Sequence, residues 1–356
     1  MITLSGPDGA PVSVPESLAD DQPYFSPSQL AAAAAYCRDE GYAVVRGLVS
    51  PESCRAVLAA FESEMRKTTT PMLRQRDMRY ELNRYDEHGR LDNPLFNLQD
   101  LETRRFGGFK KAVLDILTQR EVTRIAGACL GMAPEAGQVK VIQSMYFDAP
   151  AGTWAHQDSY YQDSAAGLGG AAAAWIALED IHASAGRFYV YAKSHLDRQV
   201  LLNRGELNVA TGHDTYRQAV REHARKRGFE CRIPYLGQGD VLFWNSLTIH
   251  GSLGAQPGSA ASRRSLTCHF LRDEDEMLQF HSRIRRQHYV VHNETRVGVL
   301  HRQDLLRTRM MREFAYRFPN AWARTRVTAI RALALLRRRS ESPAVSPVVA
   351  DRAMPG

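Results

Sequence analysis

Apolar residues recur every three to four positions over two stretches near the start of the chain, and a short β-branched run separates them. Ser26-Pro27-Ser28-Gln29 has a capping hydroxyl and a proline at the first helical position, so a helix is predicted from there to about Glu40, where Gly41 stops it. Tyr42 to Leu48 reads as a strand. Ser50-Pro51-Glu52-Ser53 caps a second helix carrying Cys54, Val57, Leu58 and Phe61 on one face. Between Phe106 and Leu130 the spacing of Phe, Val, Leu and Ile predicts two more amphipathic helices, placed on the outer face of a sheet. Val139 to Phe147, Ala171 to Asp180 and Val241 to Trp244 have strand character. The alanines of the second suit close approach across a barrel.

Other stretches lack this order. Tyr80 to Pro94 is polar and turn-rich within a long connection spanning 67–106, and its Asn, Arg84 and aromatic content makes it a candidate substrate lid. Residues 196–230 are dense in charge, including Arg198, Arg204, His213, Arg217, Arg221 and Arg225. A solvated helix face is the expected reading, with recruitment of an anionic or carrier-bound substrate as the alternative. Residues 319–339 set Trp322, Val327, Ile330, Leu333 and Leu336 among arginines. The expectation is a basic C-terminal helix that covers the sheet, against membrane-surface or acidic-partner binding. Residues 340–356, rich in Pro, Ala and Ser, are expected to be a disordered tail.

Composition narrows the class without naming a reaction. The 356 residues suffice for a large core, and the net charge of +7 is weighted toward the C-terminal third, which gives no ground for nucleic-acid binding. Five scattered cysteines without Cys-x-x-Cys spacing favour reduced, mostly buried thiols. With no signal-like N-terminus and no run approaching the ~20 apolar residues of a membrane span, a cytoplasmic protein without a transmembrane segment is expected.

Candidate chemistry begins at Trp154-Ala155-His156-Gln157-Asp158-Ser159. In an extended backbone residues i and i+2 share a face, so the His156 imidazole and the Asp158 carboxylate can converge on one metal. A second stretch, Gly239 to Ser252, ends its apolar run on His250, and Arg263-Arg264 opens the next strand-like segment. Two imidazoles and one carboxylate form the facial triad suited to non-haem Fe(II), leaving open positions for a co-substrate and dioxygen. A planar guanidinium suits the far carboxylate of an oxo-acid, but alternation sends Arg263 and Arg264 to opposite faces, so only one can serve. Tyr160 and Tyr161 directly follow the first two ligands and are candidate substrate contacts.

With His156-Gln157-Asp158, His250-Gly251-Ser252 and Arg263 preceding Ser265-Leu266-Thr267-Cys268-His269-Phe270, the chain resembles the phytanoyl-CoA dioxygenase-like group of Fe(II)/2-oxoglutarate-dependent oxygenases from about Phe25 to Arg272. The resemblance implies an α+β fold, a double-stranded β-helix of the jelly-roll, cupin-like kind with flanking helices. It also implies Fe(II), 2-oxoglutarate and dioxygen as cofactor and co-substrates, and hydroxylation or desaturation of a small-molecule C–H bond with release of succinate and CO2. It assigns His156, Asp158 and His250 to the metal. Arg263, favoured over Arg264, Ser252, Gln143 and Trp175 fall to 2-oxoglutarate. Asp158 stands where related halogenases carry a small residue. The family's Gly-x-Leu-x-Val-x-Pro-Gly-Ser-His turn reads Gly186 to His195 here, which makes His195 structural and puts Lys193 in place of a glycine, a candidate charge at the pocket mouth. The implied partition is an extension at 1–24, the dioxygenase domain at 25–318, the basic helix at 319–339 and the tail. A catalytically silent cupin-like protein and a zinc hydrolase or isomerase on the same barrel are the alternatives.

Overall fold

A computed structural model describes residues 1–7, 9–21, 23–133, 138–197, 209–281 and 283–325. The expected tail, residues 326–339 of the expected basic helix, and Arg198 and Arg204 lie outside the described residues.

In chain order the elements that build the site are α1 (Leu30–Glu40), β1 (Tyr42–Val45), α2 (Pro51–Ala60), β2 (Leu95–Phe96), α3 (Thr103–Leu117), α4 (Arg120–Cys129), β3 (Val139–Phe147), β4 (Thr153–His156), β5 (Ala171–Ala177), β6 (Phe188–Tyr191), α5 (Val209–Arg227), β7 (Cys231–Arg232), β8 (Val241–Asn245), β9 (His250–Ser252), β10 (Ser265–Arg272), β11 (His288–His292), β12 (Thr295–Val299) and α6 (Leu306–Arg317). A major sheet runs β11-β12-β3-β10-β5-β8-β1, with β2 also on β3, and a minor sheet runs β7-β6-β9-β4. This is the α+β, cupin-like double-stranded β-helix that the sequence led us to expect.

The N-terminal signals act as predicted. Ser50 Oγ accepts from the Ser53 amide at the start of α2, and Gly41 ends α1 at φ +86°, a left-handed conformation that glycine adopts without steric cost. Helices α1 to α4 bury Cys37, Val57, Phe109 and Ile125 against the outer face of the major sheet.

Both faces of β5 are covered, which is why its alanines show no alternation. Ala172, Ala174 and Ile176 join the helical layer, whereas Ala173, Trp175 and Ala177 join a second cluster with Phe188, Val190 and Trp244 between the sheets. A third cluster lies on the far side of the minor sheet, where α5 buries Tyr216, Val220 and Ala224. The charge-rich insertion is therefore not only a solvated face: charge dominates its composition, but among the described residues Tyr216, Val220 and Ala224, at every fourth position, are core. The strand pair Ile2–Ser5 and Pro11–Val14 adds Leu4 and Val14 to the same cluster.

One expectation needs correction. Cys37 on α1 and Cys129 on α4 are joined as a disulfide with Cα atoms 5.6 Å apart, whereas Cys54, Cys231 and Cys268 form no disulfide. Sequence spacing could not show this, because the helices meet only in the folded layer. The polar 67–106 connection is held in place by Arg74, which is buried with its guanidinium on the carbonyls of Asn93 and Glu81 and on Asn83 Oδ1. No helix among the described residues is long and apolar enough to cross a membrane.

Candidate metal centre

Strand pairing brings the distant ligand candidates together: β9 pairs with β4 antiparallel, and His250 is the register partner of His156. Side chains of directly opposed residues stand on one face, so the two imidazoles meet, with ring centroids 4.3 Å apart. Asp158 follows in the short turn after β4, its Oδ1 lying 3.7 Å from His156 Nε2 and 3.6 Å from His250 Nε2. Among the described residues these three form the one group whose ligand atoms converge, all within 4.8 Å of one another.

Each imidazole is held in the tautomer a metal requires. His156 Nδ1 donates to the Trp154 carbonyl at 2.8 Å and His250 Nδ1 to the Thr248 carbonyl at 2.9 Å, which leaves both Nε2 lone pairs directed at the shared space. Burial drives the His250 imidazolium down to about 3, so the ring is neutral at physiological pH. Asp158 would be pushed up by its burial, but the His250, His269 and His156 rings reverse this and hold it below the usual carboxylate range.

The second carboxylate oxygen is occupied from the opposite side. Trp244 Nε1 donates to Asp158 Oδ2 at 2.8 Å and His269 Nε2 lies 3.1 Å from it. Both residues escaped the sequence reading. Yet the alternation that separates Arg263 from Arg264 places Thr267 and His269 on the Arg263 side, and both line the cavity.

A cavity of about 70 Å³ extends from the three candidates to Arg263, lined also by Trp175, Ser252, Thr267 and Gln75. Arg263 is 2% exposed and its guanidinium meets only carbonyls, those of Gly186, Leu253 and Ala151. Burial lowers it to about 10, so it stays cationic at neutral pH, and no carboxylate among the described residues pairs with it. Arg264 points the other way, with Nε 3.0 Å from Asp148 Oδ1 and Nη1 3.8 Å from Glu179 Oε2. The cavity thus carries three metal-capable atoms and, across from them, a buried cation without an anion.

The remaining candidates divide. Trp175 and Ser252 line the cavity, whereas Gln143 is half-buried as the register partner of His269 and is not part of the lining. Tyr161 packs its ring edge-on 5.9 Å from His156 and its hydroxyl meets His213 Nε2 at 2.7 Å. Tyr160 faces away from the lining and stacks on Tyr216 of α5 at 3.8 Å. Lys193 and Arg84 must be withdrawn from the pocket. Lys193, at φ +64°, turns its ammonium to Glu40 on α1 at 3.3 Å, and Arg84 is exposed near Glu81 and Asp92. Gln75 is the part of the 67–106 connection that reaches the cavity. His195 Nε2 sits 2.8 Å from the Arg38 carbonyl, in the structural role expected of it.

The family model described as "Phytanoyl-CoA dioxygenase (PhyH)" matches residues 37–265. No curated protein matches the chain. Solved structures similar to it include the non-haem, alpha-ketoglutarate-dependent epimerase SnoN from nogalamycin biosynthesis, at 17% identity and TM-score 0.48, over 71% of this chain and 87% of that one. EctD from S. alaskensis with bound Fe is similar at 15% identity and TM-score 0.48, over 73% and 82%. AviO1 from Streptomyces viridochromogenes Tue57 is similar at 18% identity and TM-score 0.43, over 69% and 96%.

Proposed function

The chain belongs to the phytanoyl-CoA dioxygenase family, and from that premise we propose that it is an Fe(II)- and 2-oxoglutarate-dependent oxygenase hydroxylating a C–H bond of a small polar metabolite or natural-product intermediate. One observation carries the reading: the buried Arg263, which no carboxylate among the described residues pairs with, stands across the cavity from the His156, Asp158 and His250 cluster. A buried cation lacking a partner is costly, and a dianionic oxo-acid spanning the cavity would supply the anion.

In this reading His156 Nε2, Asp158 Oδ1 and His250 Nε2 hold iron, and the carbonyls of Trp154 and Thr248 keep the two rings from turning. Trp244 and His269 retain Asp158 Oδ2, leaving Oδ1 as the single ligand atom. Arg263 and Ser252 receive the distal carboxylate of 2-oxoglutarate, and Trp175 walls the cavity. Bound iron supplies the activation of dioxygen that couples loss of CO2 from 2-oxoglutarate to oxidation of the substrate. The net conversion balances as substrate R–H, 2-oxoglutarate and O2 giving R–OH, succinate and CO2. The protein contributes position and a dry, low-dielectric site. The domain partition drawn from the sequence is retained within this proposal, with 25–318 carrying the activity.

The test is succinate formation from 2-oxoglutarate with Fe(II) and O2, comparing the wild type with His156→Ala and Arg263→Ala. Iron-dependent turnover lost in both variants supports the proposal. Equal turnover by all three proteins overturns it. So does a Zn²⁺-supported hydrolysis or isomerisation that is indifferent to Arg263.

A further inference from the structure

Helix α6 is inside out by the usual rule for a surface helix. It buries Arg312, 6% exposed, and Ala315, and turns its large apolar side chains to solvent: Leu306 is 65% exposed, Met310 64% and Phe314 42%. Phe318, the residue that ends the helix, is 56% exposed, and with Trp322 these residues fall at every fourth position of the sequence. The rings of Phe318 and Trp322 lie 5.5 and 6.3 Å from that of Phe314, so the stripe is continuous rather than scattered. Of the 319–339 stretch expected to cover the sheet only residues 319–325 are described, and Trp322 among them packs near Phe314.

The reason is visible in the polar contacts. Arg312 reaches Gln303 Oε1 and Glu313 Oε1, each at 3.2 Å, and Arg309 pairs with the buried Glu102 at 2.9 Å. Asp304 accepts from the backbone and hydroxyl of Thr103. Charged groups thus fasten the helix to the body, leaving the apolar face outward. Contiguous exposed apolar surface of this kind marks an interaction site.

Charge selects the occupant. Residues 302–325 hold six arginines against two acids, Asp304, which accepts from Thr103, and Glu313, which pairs with the adjacent Arg312. Exposed Arg302, Arg307, Arg317 and Arg324 border the stripe, and the sequence from 326 to 339 adds five arginines and no acid. A second copy docked on this face would bring arginine against arginine. We infer that α6 and the described residues after it, to Thr325, bind the surface of an anionic lipid bilayer, with Phe314, Phe318 and Trp322 at the level of the headgroups and the bordering arginines on lipid phosphates.

The experiment uses the full chain in co-sedimentation with vesicles of phosphatidylcholine containing about a third phosphatidylserine, against phosphatidylcholine alone. Wild-type protein is expected to sediment with the anionic vesicles, and at least tenfold less with neutral ones or at high salt. Phe314→Asp/Phe318→Asp should lose binding to a similar extent while keeping its circular dichroism and melting temperature, since both side chains are exposed. Three results would overturn the inference: no binding to anionic vesicles at low salt, equal binding by the variant, or a concentration-dependent dimer in light scattering that the double substitution abolishes. None of these readouts depends on the proposed oxygenase activity.

Discussion

Trp244 donates its indole N–H to Asp158 Oδ2 at 2.8 Å, on the carboxylate oxygen turned away from His156 and His250. The bond ties the acid of one segment to the sheet strand leading toward His250, so carboxylate orientation does not depend on a metal already being present. Trp244→Phe should keep the packing against Phe188 and remove only the donor. Groups of this kind typically contribute 10- to 100-fold in metal affinity. The expected result is iron binding weakened about tenfold or more in a competition titration, with a stability loss of about 1–3 kcal/mol from the unpaired acceptor.

Arg263 and Arg264, neighbours in sequence, should separate cleanly in kinetics. Arg263→Ala is expected to raise the KM for 2-oxoglutarate by roughly 10- to 100-fold, the equivalent of losing one charge-assisted interaction of about 1.5–3 kcal/mol. Arg264→Ala should leave that KM near the wild-type value and lower stability, because its partners are Asp148 and Glu179. Steady-state assays and urea denaturation, run on both variants, check the pair.

The His250 ring binds its proton only at about 3 in the folded chain, against an ordinary 6.5. An unfolded chain therefore takes up a proton that the native state refuses. Stability from this group is fully present above about 6.5 and is lost as pH falls through 6.5 toward 3. Between pH 6.5 and 5 the loss is about 2 kcal/mol at most. Metal-free His250→Gln should show a correspondingly flatter acid limb than wild type in denaturation curves taken across that range.

Tyr216 of α5 carries a hydroxyl that accepts from the Gln157 amide at 2.8 Å and donates to its carbonyl at 3.2 Å. Gln157 lies between two candidate ligands. Tyr216→Phe strands a buried N–H, so a loss of about 1–3 kcal/mol is expected, together with weaker iron retention during dialysis against a chelator. Unchanged melting temperature and unchanged retention would show that α5 does not support the centre.

Much of the fold was legible because its signals are local. The Ser50 cap, the Gly41 stop and the two-residue spacing of His156 and Asp158 each act within one turn or one strand. The distant His250 was legible through its motif rather than any physical pattern. What escaped depends on through-space encounters. Cys37 meets Cys129 only when α1 and α4 pack, and Lys193 leaves the cavity because α1 offers Glu40.

The hydroxyl of Tyr216 gives the 209–227 helix a place in the barrel's wiring, since it grips the peptide unit separating His156 from Asp158. Such a segment is not an interchangeable cassette. Grafting a relative's loop over it to retarget specificity would cut a strut of the catalytic strand, unless the donor segment brought its own phenol to the same spot.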